Sequence, residues 1–441
     1  MAYTKYSLTP ANNTATPPDG APEGMLPSAV NDTMRDMMAQ IRDCGDGIRD
    51  GTYTMTAAKI TGGTITGITD LAIADGGTGA STAAGARTNL GLDGFVNMKN
   101  RIINGAMQID QRNAGASVSV NDATVYTLDR WMAVDSTGGV FSVQQVSDAP
   151  SGLNYSLKTT VTTADASIGA TEHALVRQRI EGFNFADLNW GTANAKTITL
   201  SFWAKSSLTG TFGGALINGD ANRSYPFSYT ISAANTWEYK TVTIAGDTTG
   251  TWNTTNGIAV QVDWSLAAGS TYTSTAGSWS GNLYLGVTGQ TQVMSTLNAT
   301  WQITGVQLEV GSTATSFDYR PYGTELALCQ RYFEKSYDTG TAVGTNTSTS
   351  AVYNYASTDQ YSSLVASVPF KVEKRASPTM TGYQTGGTSG SWAYGRSGAT
   401  GTATVNFYDT GTSRFTQYMS IGASAYASAY CVGHWTASAE L

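Results

Sequence analysis

The strongest constraint in this chain is a train of short runs in which apolar and polar residues alternate. From about residue 97 to 322 the runs are SVSVND, GVFSVQQVSD, TITLSFWAKS, EYKTVTIAG, IAVQVDWSL, NLYLGVTG and ATWQITGVQLEVG, with Gly, Asn, Asp and Ser between many of them. Alternation with period two puts one face of each run inside and the other outside, so strand follows strand. Trp and Phe on alternate positions point to two packed sheets, a jelly-roll-like β-sandwich. Within it, Trp264 follows the run IAVQV and is expected in the core. After Tyr322 a helix-like piece, GTELALCQRYFEK, leads into SAVYNYAS, SLVASVPFKVEK, TATVNFYD, FTQYMSIG and YASAYCVGHWTASAEL. These predict a smaller C-terminal β domain whose sheet includes the end of the chain.

Composition agrees. Only 13% of the 441 residues are charged, about half the usual ~25%. The 23 Tyr, 10 Trp and 12 Phe are far more aromatic surface than a disordered chain carries. A net charge of −7 speaks against a nucleic-acid partner, which needs a clustered basic face. The densest basic spot, KVEKR from Lys371, contains a Glu and is expected to be a solvated strand end. No apolar run approaches the ~18 residues that span a bilayer, so no membrane insertion is expected. The start, MAYTKYSLTP, lacks the apolar core of a signal peptide, and synthesis in a cytosol is the expectation. Cys44, Cys329 and Cys431 lie far apart with no CxxC, so buried free thiols are expected.

The N-terminal part is patterned differently. Residues 1–27 are rich in Pro and Gly and read as extended. In SAVNDTMRDMMAQIRDCGDGI, Val30, Met34, Met37, Ile41, Cys44 and Ile48 recur at heptad spacing, the stripe that joins helices along one seam. A helix of about 16 residues is marginal alone; Ser28 is the expected N-cap, Asp32 falls in its first turn, and Gly45 or Gly47 ends it. Residues 51–96 are Gly, Thr and Ala with single apolar residues, Ile60, Ile65, Ile68, Leu71 and Ile73. One chain cannot build a core from these, whereas three copies on an axis could stack them in thin layers. Ser81 is expected to cap a short helix, STAAGARTNL, stopped by Gly91.

The resulting expectation is mainly β. Residues 1–50 form an attachment segment with a short helix, 51–96 a thin intertwined trimeric shaft, 97–323 the sandwich and 324–441 the C-terminal domain.

Several motifs resemble a known family. PPDGAPEGMLPSAVNDTMRDMMAQIRD is similar to the virion-proximal segment of bacteriophage tail-fibre proteins, and ADGGTGASTAAGARTNLGL resembles the linker motif of their shafts. NRIINGAMQIDQR, YTLDRW and VQLEVGSTATSFDYRPYGTELALCQRYFEKS resemble the β-sandwich head of phage tail and appendage proteins, often likened to carbohydrate-binding modules. The resemblance implies a virion component. It would be an elongated homotrimer, bound to phage tail or other virion proteins through its N-terminal segment, with β domains held toward a host surface polysaccharide or protein.

No catalytic motif is present. The two His, His173 and His434, have no nucleophile motif around them, and His434 is expected to be structural. A polysaccharide depolymerase needs only two carboxylates, so it stands as an alternative, as does a collar or head fibre or an adapter that docks another virion protein. Glycan binding is expected instead, because sugar rings stack on Trp and Tyr while polar neighbours fix the hydroxyls. In residues 251–282 the candidates are Trp252, Tyr272 and Trp279; Trp252 and Trp279 lie in Gly-, Thr- and Ser-rich loops open to exposure, and the favoured alternative is that each plugs a sandwich edge or a subunit contact. In the C-terminal domain they are Trp392, Tyr394 and Arg396, expected in a long loop. No cofactor is expected; a structural Ca²⁺ is compatible with a sandwich, but no DxDxDG-like cluster assigns one.

Overall fold

Alternation in the sequence becomes alternation in burial. In Ser156–Thr163, Leu157, Thr159 and Val161 are buried while Lys158 and Thr160 are only half-buried, and Val140–Val146 behaves likewise. The computed structural model describes residues 26–50, 78, 80, 85–86, 89–90, 99–356, 363–396, 399–421 and 429–441. Two units divide at Met1–Gly85 and Ala86–Leu441.

Eight strands make the heart of the second unit: β1 (Ser156–Thr163), β2 (His173–Glu181), β3 (Ile198–Ser206), β4 (Gly210–Asn218), β5 (Ser224–Ile231), β6 (Glu238–Ile244), β7 (Ile258–Ala268) and β8 (Thr300–Val310). One sheet has the order β1-β8-β3-β6 and the other β2-β7-β4-β5, the double Greek key of a jelly roll. Val140–Val146 and Val118–Val120 extend the first sheet beyond β1. Trp131–Asp135 and Thr124–Tyr126 extend the second beyond β2, so each is six-stranded and antiparallel. Trp131, Phe202, Phe212, Phe227, Trp264 and Trp301 fill the space between the sheets, and Trp264 is fully buried.

The outer face of the second sheet is covered too. NLYLGVTG, expected as a strand of the sandwich, belongs to an excursion over residues 269–290, where Thr273–Ser274 pairs with Gly286–Val287 and Ser280 bridges to Ser224. Tyr272, Leu283 and Leu285 from this excursion pack on Met132, Val134, Leu175, Ala215 and Ile217. Strand β7 is consequently buried on both faces.

Helix α2 (Tyr322–Gln330) leads into the C-terminal sheet. Its central strand, Ala429–Ser438, pairs with Val352–Ala356 and Phe333–Lys335 on one side and with Ser391–Arg396 and Thr379–Tyr383 on the other. Rings here lie flat over glycines of the neighbouring strand. A Cβ at Gly433 would stand 2.3 Å from Trp392, at Gly395 2.3 Å from Tyr430, and at Gly401 2.8 Å from Tyr394. Ion pairs join this sheet to the sandwich: Arg130 and Arg112 to Glu440, and the half-buried Arg331 to the buried Glu181.

The first unit contains α1 (Pro27–Asp50). It starts before Ser28, since the Leu26 carbonyl accepts the N–H groups of Ala29 and Val30 and Pro27 is pre-set for the first helical position. Asp32 then lies beyond the first turn. The helix also passes through Gly45 and Gly47, each costing only about 1 kcal/mol, with Arg42 and Asp46 paired across Gly45 at 3.4 Å. Val30, Met34, Met37 and Ile41 are 37%, 55%, 42% and 64% exposed. The side chains of Cys44 and Ile48 lie outside the described residues, as do residues 1–25 and the shaft positions Ile60, Ile65, Ile68, Leu71 and Ile73.

One local expectation changes. Lys374 of KVEKR is buried, its ammonium donating to Glu334 at 2.5 Å, to the Gln330 carbonyl at 2.6 Å and to the Val372 carbonyl at 2.7 Å. A lysine this enclosed needs all three acceptors. Cys329 and Cys431 are buried free thiols as expected, and burial pushes the Cys431 thiol up to about 11.

Candidate carbohydrate-binding surface

The aromatic residues singled out in the sequence end up largely inside. Trp252 is only 8% exposed. It packs with Phe185, Trp190 and Trp279 in a cluster whose ring centroids are 4.8–6.2 Å apart, and its indole N–H donates to the Thr249 carbonyl at 3.1 Å. Trp279 is half-buried against the same core, donating to the Ala245 carbonyl at 2.8 Å. Tyr272 is half-buried on the covered sheet face, 5.2 Å from His173. Trp392, Tyr394 and Arg396 occupy the strand Ser391–Arg396 rather than a loop. Trp392 is fully buried with its N–H on the His434 carbonyl at 2.8 Å. Tyr394 packs against that core, the Arg396 guanidinium lies 5.4 Å from its ring, and Arg396 also donates to the Ile421 carbonyl. The glycines these tryptophans lie against, Gly433 and Gly382 for Trp392 and Gly191 for Trp252, are outside the Gly- and Ser-rich stretches that suggested loops.

The accessible aromatic surface lies elsewhere, on the outer face of the first sheet. Tyr239 on edge strand β6 faces Trp203 on β3 across the ladder, with ring centroids 5.3 Å apart. Next along the sheet, β8 has a register irregularity between Thr304 and Gln307. It contains Gly305 at φ +60°, where a Cβ would stand 3.1 Å from Trp203. The positive φ and the missing side chain together let the indole lie down across β8. Tyr239 is 43% exposed and Trp203 half-buried, which leaves a flat, partly wetted platform.

Polar groups are fixed at its edge. Lys205, two residues beyond Trp203, pairs with Asp148, and its ammonium lies 5.0 Å over the Trp237 ring. Trp237 donates its N–H to Asp148 at 3.3 Å. Burial works to raise the Asp148 pKa, but the hydrogen bonds from Lys205 and Trp237 outweigh it and hold the carboxyl below its ordinary value. The arrangement offers ring faces for C–H groups and a fixed charge pair for hydroxyls. Sequence reading missed it because Trp203 and Tyr239 meet only through strand register. A second exposed aromatic row lies on the C-terminal sheet. There Tyr353 and Tyr355, 48% and 70% exposed, stack at 6.1 Å and reach Tyr430 at 6.5 and 5.9 Å.

Both histidines tie strands together. Ser136 lies 3.0 Å from His173 Nδ1 while also accepting the His173 amide. Ser336 lies 3.0 Å from His434 Nδ1, and His434 Nε2 is 3.0 Å from the Thr347 carbonyl. Burial lowers both imidazole pKa values. No carboxylate hydrogen-bonds either ring among the described residues, so the third member of a catalytic triad is lacking there. No cluster of three metal-ligating side chains occurs among the described residues either.

No family model matches this sequence, and no curated protein does. Among solved structures, a GH51 α-L-arabinofuranosidase with bound arabinose is similar at 12% identity and a TM-score of 0.26, over 46% of this chain and 26% of that one. A CBM4 module is similar at 16% and 0.24, over 47% and 98%. A family 11 carbohydrate-binding module from Clostridium thermocellum, in complex with a β-1,3-1,4-mixed-linked tetrasaccharide, is similar at 12% and 0.25, over 45% and 98%. This chain thus spans about a quarter of that arabinofuranosidase. Likenesses with such scores carry no weight for function.

Proposed function

We propose that this chain is a fibre-type attachment protein that gathers three copies through its N-terminal helix and binds host-surface glycan through its β unit. The glycan reading is carried by one observation, the exposed Trp203–Tyr239 platform beside the fixed Lys205–Asp148 pair. Self-association is supported by the exposed stripe of Val30, Met34, Met37 and Ile41, too narrow a face to hold a lone helix in water. Placement on a virion, through phage tail or other virion proteins, is supported by the sequence resemblance. In this reading the chain performs no catalysis and uses no cofactor.

The test uses the full chain on an array of bacterial surface polysaccharides, with Trp203→Ala and Tyr239→Ala beside it. Losing one stacking ring should weaken binding about ten-fold. Unchanged binding by both variants, with their melting midpoints intact, would remove the platform from the function.

A further inference from the structure

A cleft of about 240 Å³ lies at one end of the sandwich, lined by Gly219, Asp220, Thr251, Asn253 and Ile258. At ~30 Å³ per water it would hold about eight waters, or one six-membered sugar ring. We propose that this cleft binds a single neutral sugar residue of a glycan and rejects acidic sugars; the proposal rests on the glycan-binding reading above and adds to it a ligand class and a second contact point.

The walls are built. Asn218, fully buried, accepts the amides of Asn222 and Arg223 at 3.0 Å each and donates to the Thr251 carbonyl at 3.1 Å, tying one wall to the other. Arg223 pairs with Asp247 through two bonds of 2.8 and 2.7 Å. Asp247 in turn accepts the Thr249 amide and hydroxyl at 3.1 Å. Trp252 packs behind the second wall. Gly219 runs so close to β7 that a Cβ would stand 2.3 Å from the Ile258 carbonyl. These restraints fix the cleft before any ligand arrives, which lowers the ordering cost of binding.

The lining chemistry sets the class. Among the described residues the Asp220 carboxylate has no hydrogen-bond or ion-pair partner. The Asn253 side-chain oxygen accepts the Thr255 amide at 2.8 Å and the Thr255 hydroxyl at 3.2 Å, which leaves its NH₂ free to donate. Thr251 adds a hydroxyl, and Ile258 an apolar contact. A carboxylate accepts from two hydroxyls at once, an amide donates to a third oxygen, and the aliphatic group meets C–H. No cation lines the cleft, Arg223 being engaged by Asp247, and the chain carries a net −7. A sugar carboxylate would meet Asp220 with nothing to neutralise either charge.

The experiment is titration calorimetry on the full chain. The neutral probes are glucose, galactose and N-acetylglucosamine oligosaccharides; the acidic probes are glucuronate oligomers and N-acetylneuraminic acid. Asp220→Asn and Asn253→Ala alter exposed side chains and are checked by their melting midpoints, with Tyr239→Ala run alongside. Wild type should bind neutral probes only. Each cleft variant should weaken that binding about ten-fold, and Asp220→Asn should also narrow the gap to acidic probes. Wild-type preference for acidic probes would overturn the proposal. So would cleft variants that match wild type while Tyr239→Ala loses affinity, an outcome that leaves the platform standing. Absence of binding to every probe would overturn the platform reading together with this one.

Discussion

Replacing Glu440 by Gln should loosen the joint between the two β domains. The Glu440 side chain is 6% exposed and receives Arg130, itself 1% exposed, and Arg112 at 2.8 Å. Arg130 also lies 3.6 Å over the Tyr332 ring and donates to the Arg179 carbonyl at 2.5 Å. Burial by itself would lower the Arg130 pKa, but Glu440 together with Tyr332, Tyr126 and Cys329 outweighs it and leaves that pKa raised. An arginine is effectively always protonated in proteins, so the guanidinium stays charged when its partner is lost. With glutamine the shape is kept and one neutral acceptor remains, yet a buried cation has lost its counter-charge. Breaking such a pair costs about 3–5 kcal/mol, and the retained amide bond returns about 1 kcal/mol, so about 3 kcal/mol is expected. Urea unfolding followed by tryptophan fluorescence should show the loss, and the transition should split, because Arg130 immediately precedes the sandwich strand Trp131–Asp135 and Glu440 follows the last strand of the C-terminal sheet. The double variant Arg130→Met, Glu440→Leu should recover much of the loss, since the deeply buried Arg130 charge is then gone and only the more accessible Arg112 is left without Glu440. A single transition within 0.5 kcal/mol of wild type, about the scatter of a neutral surface change, would refute the reasoning.

Ile41→Lys with Met34→Lys places charge on the exposed stripe of α1. Light scattering should then give the 46.3 kDa of one chain where wild type gives a multiple, with the β unit melting unchanged; a wild type that is already one chain at micromolar concentration contradicts the stripe reading. Asp129 is fully buried and accepts the Gln111 amide at 2.7 Å and its side-chain N–H at 2.6 Å. Burial outweighs these bonds and nearby Arg112, pushing its pKa from 3.8 up to about 6. Its folded state therefore keeps the proton to higher pH than the unfolded chain. The contribution to stability is complete below pH 3.8 and declines as pH rises toward about 6. Asp129→Asn should remove that decline, and parallel stability curves for wild type and variant would contradict it.

The sandwich was readable where one face of a strand meets the core and the other meets water, as in Val140–Val146 and β6. Strands β1, β4 and β5 escaped notice: in β1 the inward residues include Thr159 beside Leu157 and Val161. Gly213 and Gly214 break the pattern in β4, and Pro226 interrupts β5. Strand β7 was seen as a strand, but its burial on both faces depends on an excursion whose landing place local sequence does not encode. The candidate site was read less well. Trp252 and Trp392 stand among Gly, Ser and Thr, which in sequence suggests loops; the glycines that admit the rings, Gly191 for Trp252 and Gly433 for Trp392, lie elsewhere in the chain. Trp203 and Tyr239 lie far apart in the chain, and only the β3–β6 register makes them neighbours. Lys374 looked solvated because its three acceptors come from Glu334, Gln330 and Val372, two of them well upstream.

The flat rings of the C-terminal sheet link positions that are remote in sequence. Gly433 and Trp392, Gly395 and Tyr430, and Gly401 and Tyr394 each share one volume between two strands. An alanine at any of these glycines would have to lift an aromatic plate off its neighbour, so tolerated change at one position calls for a smaller residue at the other. The relief of the sheet, and hence which tyrosines stand up into solvent and which lie down, is drawn by where side chains are missing.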